Sequence, residues 1–263
     1  MNEITLPDGT TRVMGNIIPT STVGDKWPVF GSVPQHKRIP RSEWDVLLAA
    51  YDNLGPDHPH LPPVHDQNGV GQCNADSTTA CLEFRRSVQG LPYQQLSAAD
   101  LYSEINWGRD GGSLLEDAMA KVMAEGVGLA STSGTIWKNG NWKGKASKAE
   151  RGRFRVLEAF ICPTFDDMYS AVLQGFAIST GIMWRNNYTP GADGWLPRPG
   201  GGAGGHAIFG YKPTKRGNDY GIWHQNSWGE SYGLRGRFVI PEWCYDGNIG
   251  GWWAIGSVVD EGV

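Results

Sequence analysis

The chain has 263 residues, 40% of them apolar and 19% charged, with a formal net charge of −4. That is enough to bury a large core, as one domain or as two modest lobes sharing a cleft. No Lys/Arg cluster offers a footprint for nucleic acid, and no apolar run approaches the ~18 residues of a membrane span. With 37 Gly and 12 Trp, the composition favours loop-rich architecture and aromatic packing over a helical bundle.

Residues 1–40 are polar and broken by Pro and Gly, and read as an arm rather than a domain. The start shows no basic region followed by an apolar one, so a cytoplasmic, reducing compartment is the default expectation. Ser42–Tyr51 predicts a short amphipathic helix capped by Ser42, with Trp44, Leu47, Leu48 and Tyr51 on one face. It is expected to pack on the body; guarding a cleft is the other reading. His58 and His60, beside Asp57, lack a third ligand at metal spacing and read as a solvated loop.

Val64–Arg86 (VHDQNGVGQCNADSTTACLEFRR) reads as a loop that feeds Cys73 onto the first turn of a helix. Gln67 lies six residues upstream, and Gly69 and Gly71 permit the turn. Ala80, Phe84 and Val88 recur on one face, and Gly90 and Pro92 close the helix. A thiol at a helix start meets unpaired N–H groups and the positive end of the dipole, which favours thiolate. A lone helical cysteine is nonetheless more often a small core residue. Cys73, Cys81, Cys162 and Cys244 show neither CxxC nor zinc spacing, and with Cys73 as a working thiol they cannot all pair.

Further along, Leu96-Ser97 opens a helix to about Ile105. The Asp110-Gly111-Gly112 turn leads to a helix over Ser113–Glu125, with Ser113 and Glu116 as a capping box. Residues 131–153, with Trp137 and Trp142, read as surface loop between lobes. A strand follows at Phe154–Ile161 and a capped helix at Thr164–Gln174. Further strands are predicted at Ala177–Met183, His206–Tyr211, Gly221–Gln225, Gly236–Ile240 and Trp253–Val258. Helices gather early and strands late, the pattern of an α+β protein.

Two features in the strand-rich half bear on chemistry. The run Gly200–Gly205 delivers His206 onto an apolar strand, and Asn226-Ser227-Trp228-Gly229 ends a later one. Separately these are ordinary strand-start and turn chemistry. Jointly, Gln67, Cys73, His206, Asn226 and Trp228 supply what a thiol hydrolase needs: nucleophile, base, an orienter for the base, and a shield over that contact.

On those residues the chain resembles the papain-like cysteine peptidases of the C1 family, in their disulfide-poor bacterial and viral branch. The match runs from about Leu61 to Tyr245 and includes Leu96-Ser97, Asp110-Gly111-Gly112 and Gly205-His206-Ala207. The resemblance implies an α+β, papain-like two-lobed fold with the active site in the cleft. A helical lobe at about 61–135 and an antiparallel β-barrel-like lobe at about 154–260 would form a peptidase domain over 56–263, after an extension over 1–55. It implies Cys73 as nucleophile and His206 as base in a thiolate–imidazolium pair. Asn226 would orient His206 under Trp228, and Gln67 would join the Cys73 N–H in an oxyanion hole. Gly111 and Gly112 would bond substrate backbone, and Ser113, Leu114, Gly204, Gly205 and Ala207 would lie around the neighbouring pocket. The chemistry calls for no cofactor or metal, and the partner is a peptide or protein substrate.

The chain departs from the family at Asn74, where Trp is common, and at Val70 and Arg109, where a disulfide usually sits. The upstream region is too short for the long inhibitory propeptide. The alternative reading is an idle papain-fold binding or structural module in a larger assembly such as a virion. A cell-wall peptide hydrolase with a Cys-His site shares the residue order but leaves Gln67 and Asn-Ser-Trp-Gly unexplained.

Overall fold

The computed structural model describes residues 2–5, 9–19, 27–51, 53–138, 146–201, 204–245 and 251–259. Its core is organised on one helix, α2 (Cys73–Val88), which is buried on nearly every side. Beside Ala75, Leu82 and Phe84 it buries Asn74, Asp76, Ser77, Thr78, Thr79 and Glu83. So many buried polar groups on one helix must each find a partner. Val88, expected on the buried face, is 37% exposed, because the last turn projects past the core.

Against α2 lies a six-stranded antiparallel sheet. Its strands are β3 (Val156–Ile161), β4 (Ala177–Met183), β5 (Gly205–Arg216), β6 (Asp219–Gln225), β7 (Arg237–Pro241) and β8 (Trp252–Val258), in the order β3-β8-β4-β5-β6-β7. The sheet stays open at β3 and β7 and does not close into a barrel. The fold is therefore the expected α+β combination with a sheet in place of the barrel-like lobe. Strand β5 runs beyond the expected Tyr211, through Pro213, which pairs with Ile222 past a register shift. Lys212 is buried there because its ammonium is held by Asn53 Oδ1 and the carbonyls of Gly55 and Asp57 at 2.9–3.0 Å.

The remaining helices are α1 (Arg41–Leu48), α3 (Ala98–Ile105), α4 (Leu115–Ala124), α5 (Ala130–Ser133), α6 (Lys148–Gly152) and α7 (Phe165–Leu173). Helix α1 begins after Pro40 without a side-chain cap, so Ser42 does not cap it. It docks on α7, with the Trp44 and Tyr169 ring centroids 4.2 Å apart. Helix α7 carries a capping box between Thr164 and Asp167. The Ser113–Glu116 box does not form: α4 starts one residue later than such a cap would allow, after Leu114.

The segment read as surface loop over 131–153 is in part structural. It holds α6 and most of α5, Trp137 is 5% exposed, and Arg151 bonds Asp100 at 2.8 and 2.9 Å. Trp142 lies outside the described residues. His58 and His60 are half-buried beside Phe84 rather than solvated. At the other end of the chain, β1 (Asn2–Thr5) and β2 (Thr11–Met14) form an antiparallel hairpin. No helix among the described residues is long and apolar enough to cross a membrane.

Candidate active site

Cys73 is the first residue of α2 and is fully buried. Asn68 and Gly69 both take left-handed backbone conformations, and this tight turn brings Gln67 back beside the helix start. The Gln67 amide is held from every side. Its N–H donates to Ser227 O at 2.9 Å, and its Oε1 accepts from Ser227 Oγ at 2.7 Å. Its Nε2 donates to Val70 O at 2.7 Å and to Val13 O at 2.8 Å.

The Asp110–Ser113 turn is pinned to the start of α2. Asp110 Oδ1 accepts from Gly71 N–H and from the Tyr102 hydroxyl, both at 2.9 Å, and Gly112 N–H donates to Tyr102 Oη at 3.0 Å. Asn74 Nδ2 donates to Ser113 O at 2.7 Å and Ser113 Oγ at 3.1 Å. The hydroxyl expected to cap α4 is thus engaged by the residue that follows the cysteine.

His206 stands near the start of β5, opposite Ile182 of β4. Its Nε2 lies 2.8 Å from Asn226 Oδ1, which also accepts from Ser227 N–H at 2.9 Å. The Trp228 ring stacks on the imidazole at 4.6 Å, and Trp184 meets it edge-on at 5.3 Å. With Nε2–H donated to Asn226, the lone pair resides on Nδ1, which has no hydrogen-bond partner among the described residues. The N–H groups of Ala207, the residue after His206, and of Asn74 lie near the Cys73 sulfur and favour its thiolate, so the helix start and the strand start come together close to the thiol.

The first residues of the chain lie across this meeting point. Val13 O is bound by Gln67 Nε2, and the Gly15 N–H lies near the Cys73 sulfur. Gly15 O accepts from Ser113 N–H at 2.8 Å, Ile17 N–H donates to Ser113 O at 2.8 Å, and Asn16 N–H donates to Gly205 O at 3.1 Å. The guanidinium of Arg12 donates to Asp66 Oδ1 at 3.3 Å and to Trp228 O at 3.2 Å. Ile4 and Met14 join the apolar cluster that contains Trp184 and Trp228. Glycine is needed on both faces of this contact. A Cβ on Gly15 would sit 1.9 Å from Gly71 O, one on Gly112 would sit 2.3 Å from Gly15 O, and one on Gly205 would sit 2.2 Å from Asn16 O.

This cover sets the electrostatics. Burial pushes the Cys73 thiol up to about 12, against the N–H groups of Ala207, Gly15 and Asn74 that favour the thiolate. Burial likewise takes the His206 imidazole down to about 4, with the Asn226 bond opposing. Thiol and imidazole are therefore neutral under the cover. The thiolate expected at a helix start is outweighed here by desolvation.

Of the residues expected along the cleft, Gly112, Ser113, Gly205 and Ala207 surround the bound segment, and Trp228 bonds it through Arg12. Gly111 and Leu114 flank the same edge, and Gly204 accepts from Trp184 N–H at 3.0 Å. Sequence reasoning missed residues 13–17, Asn74, Tyr102 and Trp184. Of these only Gly15, the one glycine within residues 13–17, carries any signal. No group of three or more His, Cys, Asp or Glu among the described residues could hold a metal ion.

Helix, sheet and cleft together are the papain-like cysteine protease fold. Xylellain, a cysteine protease from Xylella fastidiosa, superposes with a TM-score of 0.74 at 17% identity, over 93% of this chain and 96% of its own. Procathepsin B from Trypanosoma congolense gives 0.65 at 17% identity, over 95% and 87%. Bromelain from Ananas comosus gives 0.60 at 18% identity, over 77% and 95%. At such identities the likeness is one of fold. No family model and no curated protein matches the sequence.

Proposed function

We propose that this chain is a cysteine peptidase that hydrolyses peptide bonds through an acyl-thioester on Cys73, closed as folded by its own residues 13–17. One observation supports the reading: a main-chain segment crosses the residues proposed to bind a peptide substrate. Its Val13 carbonyl accepts from Gln67 Nε2, its Gly15 carbonyl accepts from Ser113 N–H, and its Asn16 N–H donates to Gly205 O. With the cleft open, His206 Nδ1 takes the thiol proton, and the thiolate attacks the substrate carbonyl. Gln67 Nε2 and the Cys73 N–H stabilise the oxyanion, and the imidazolium gives its proton to the leaving amine. Asn226 holds the ring and Trp228 keeps water from that bond. The Gly111–Ser113 edge bonds the substrate backbone, with Leu114, Gly204, Gly205 and Ala207 around the adjoining pocket.

The direction of the cover supports its persistence. Asn16 pairs with Ser113 in parallel, so residues 15–17, which follow Val13, occupy the edge. A substrate would place there the residues that precede its scissile carbonyl. The cover therefore runs in the direction opposite to a substrate, which disfavours its own cleavage. On this reading the peptidase body spans 56–263, and the first 55 residues include its plug.

Gly15→Ala tests the proposal, because its Cβ would overlap backbone that cannot give way. Overpacking of ~1–3 kcal/mol predicts that Cys73 alkylates roughly 10- to 100-fold faster in the variant. Cleavage of a peptide library should appear with it and vanish in Cys73→Ala. The closed cleft equally suits an idle module. Fast alkylation without hydrolysis would favour that second reading, and unchanged alkylation would refute the plug.

A further inference from the structure

Close to Asn226, the partner of the base, lies a buried ionic cluster that the peptidase reading does not use. His65 Nδ1 is 3.4 Å from Asp76 Oδ1, and His65 Nε2 is 3.3 Å from Glu83 Oε2. Each carboxylate is tied elsewhere as well: Gln72 Nε2 donates to Asp76 Oδ2 at 3.1 Å, and Leu96 N–H donates to Glu83 Oε1 at 2.7 Å. Burial would lower the pKa of His65, but the charge of Glu83 and hydrogen bonds to Asp76 and Glu83 outweigh it and lift the imidazole to about 10. His65 thus lies as a cation beside Asp76 and Glu83; burial raises the Asp76 carboxyl, with the bond to His65 opposing that rise. Isolated charges there would be costly, so the cluster holds together as a unit.

Between this cluster and the base is a cavity of about 10 Å³, lined by His65, Asp76, Ser77, Ala80, Gln225 and Asn226 among others. That is room for one water. Two polar atoms of its lining residues lack a protein partner: Asn226 Nδ2 and Gln225 Oε1, on side chains 2% and 3% exposed. A single water here would accept from Asn226 Nδ2 and donate to Gln225 Oε1 and to the Asp76 carboxylate, the two to four bonds such a site requires.

We infer that Asp76, held by His65, is a positioning residue for His206, acting through one cavity water on the side-chain amide of Asn226. Ser227 N–H already fixes the Oδ1 end of that amide, and the water fixes its Nδ2 end. Were the amide to turn over, Nδ2 would face His206 Nε2. The imidazole would then carry its proton on Nδ1, where it could not accept the thiol proton. The cluster thereby keeps the base in its working tautomer.

The inference rests on the peptidase reading only for the role of His206, and its test needs no turnover. In the full chain with ¹⁵N-labelled histidine, long-range ¹H–¹⁵N correlation spectra report the His206 tautomer. Asp76→Asn should raise the Nδ1–H population roughly threefold or more. Ala80→Val, which fills the cavity and leaves every charge in place, should do the same. Adding Asp76→Asn to Asn226→Ala should change nothing further, since the path is already cut. A His206 tautomer unmoved by Ala80→Val, or additive effects in the double variant, would overturn the inference even if peptidase activity is found.

Discussion

Gln67 Nε2 donates to the main-chain carbonyl of Val13 at 2.8 Å, so the side chain proposed as an oxyanion donor also binds the N-terminal segment. The two roles predict opposite effects of Gln67→Ala. In the Gly15→Ala background, kcat for a peptide substrate should fall roughly 10²- to 10³-fold, as expected for a lost oxyanion donor. In the otherwise native chain the same change removes one plug bond worth ~1 kcal/mol, and Cys73 alkylation should quicken about fivefold. An undiminished kcat would remove Gln67 from the oxyanion role.

The closed form should be pH-sensitive at both ends. His206 is held at about 4 against an ordinary 6.5, so its share of stability is present above pH 6.5 and is lost as pH falls toward 4. A depression of that size corresponds to roughly 3 kcal/mol. His224, buried beside Thr180 and held at about 3, acts in the same direction. Cys73 is raised to about 12 from 9.0, so its share is present below pH 9.0 and is lost as pH climbs toward 12. Urea midpoints measured across pH should fall on both flanks, and His206→Gln should flatten the acid flank. An acid flank unchanged in that variant would show that His206 is not the titrating group.

Asn74 braces the edge rather than the nucleophile. Asn74→Ala removes both bonds to Ser113 at a cost of about 1–2 kcal/mol; on the proposed peptidase function, the Gly15→Ala chain carrying it should show a raised KM with kcat nearly intact. Steady-state kinetics on a peptide substrate decide this. A fall in kcat alone would place Asn74 in the chemical step.

Features with a local side-chain signature were legible in the sequence. Thr164 and Asp167 announce the start of α7 three residues apart, and Gln67, Cys73, His206 and Asn226 were named from order and spacing. What stayed hidden depends on long-range main-chain geometry. The plug is bound largely through peptide groups, which every sequence possesses, so nothing but Gly15 set residues 13–17 apart. The Ser113–Glu116 pair looked like a capping box until a more distant residue, Asn74, claimed the hydroxyl. Strand β5 continues through Pro213, which sequence patterning reads as a break, in a stretch paired with β6 beyond the last residue that pairs with β4.

Because the plug and the site belong to one polypeptide, their encounter is unimolecular. A tether of a few tens of residues confers an effective concentration on the order of millimolar. Diluting the protein therefore leaves the cleft shut, and a free peptide must outcompete that local abundance to enter. A single backbone cut between Ile17 and α1 would change the molecularity. The severed piece would become an ordinary dissociable ligand, and dilution alone would then uncover Cys73.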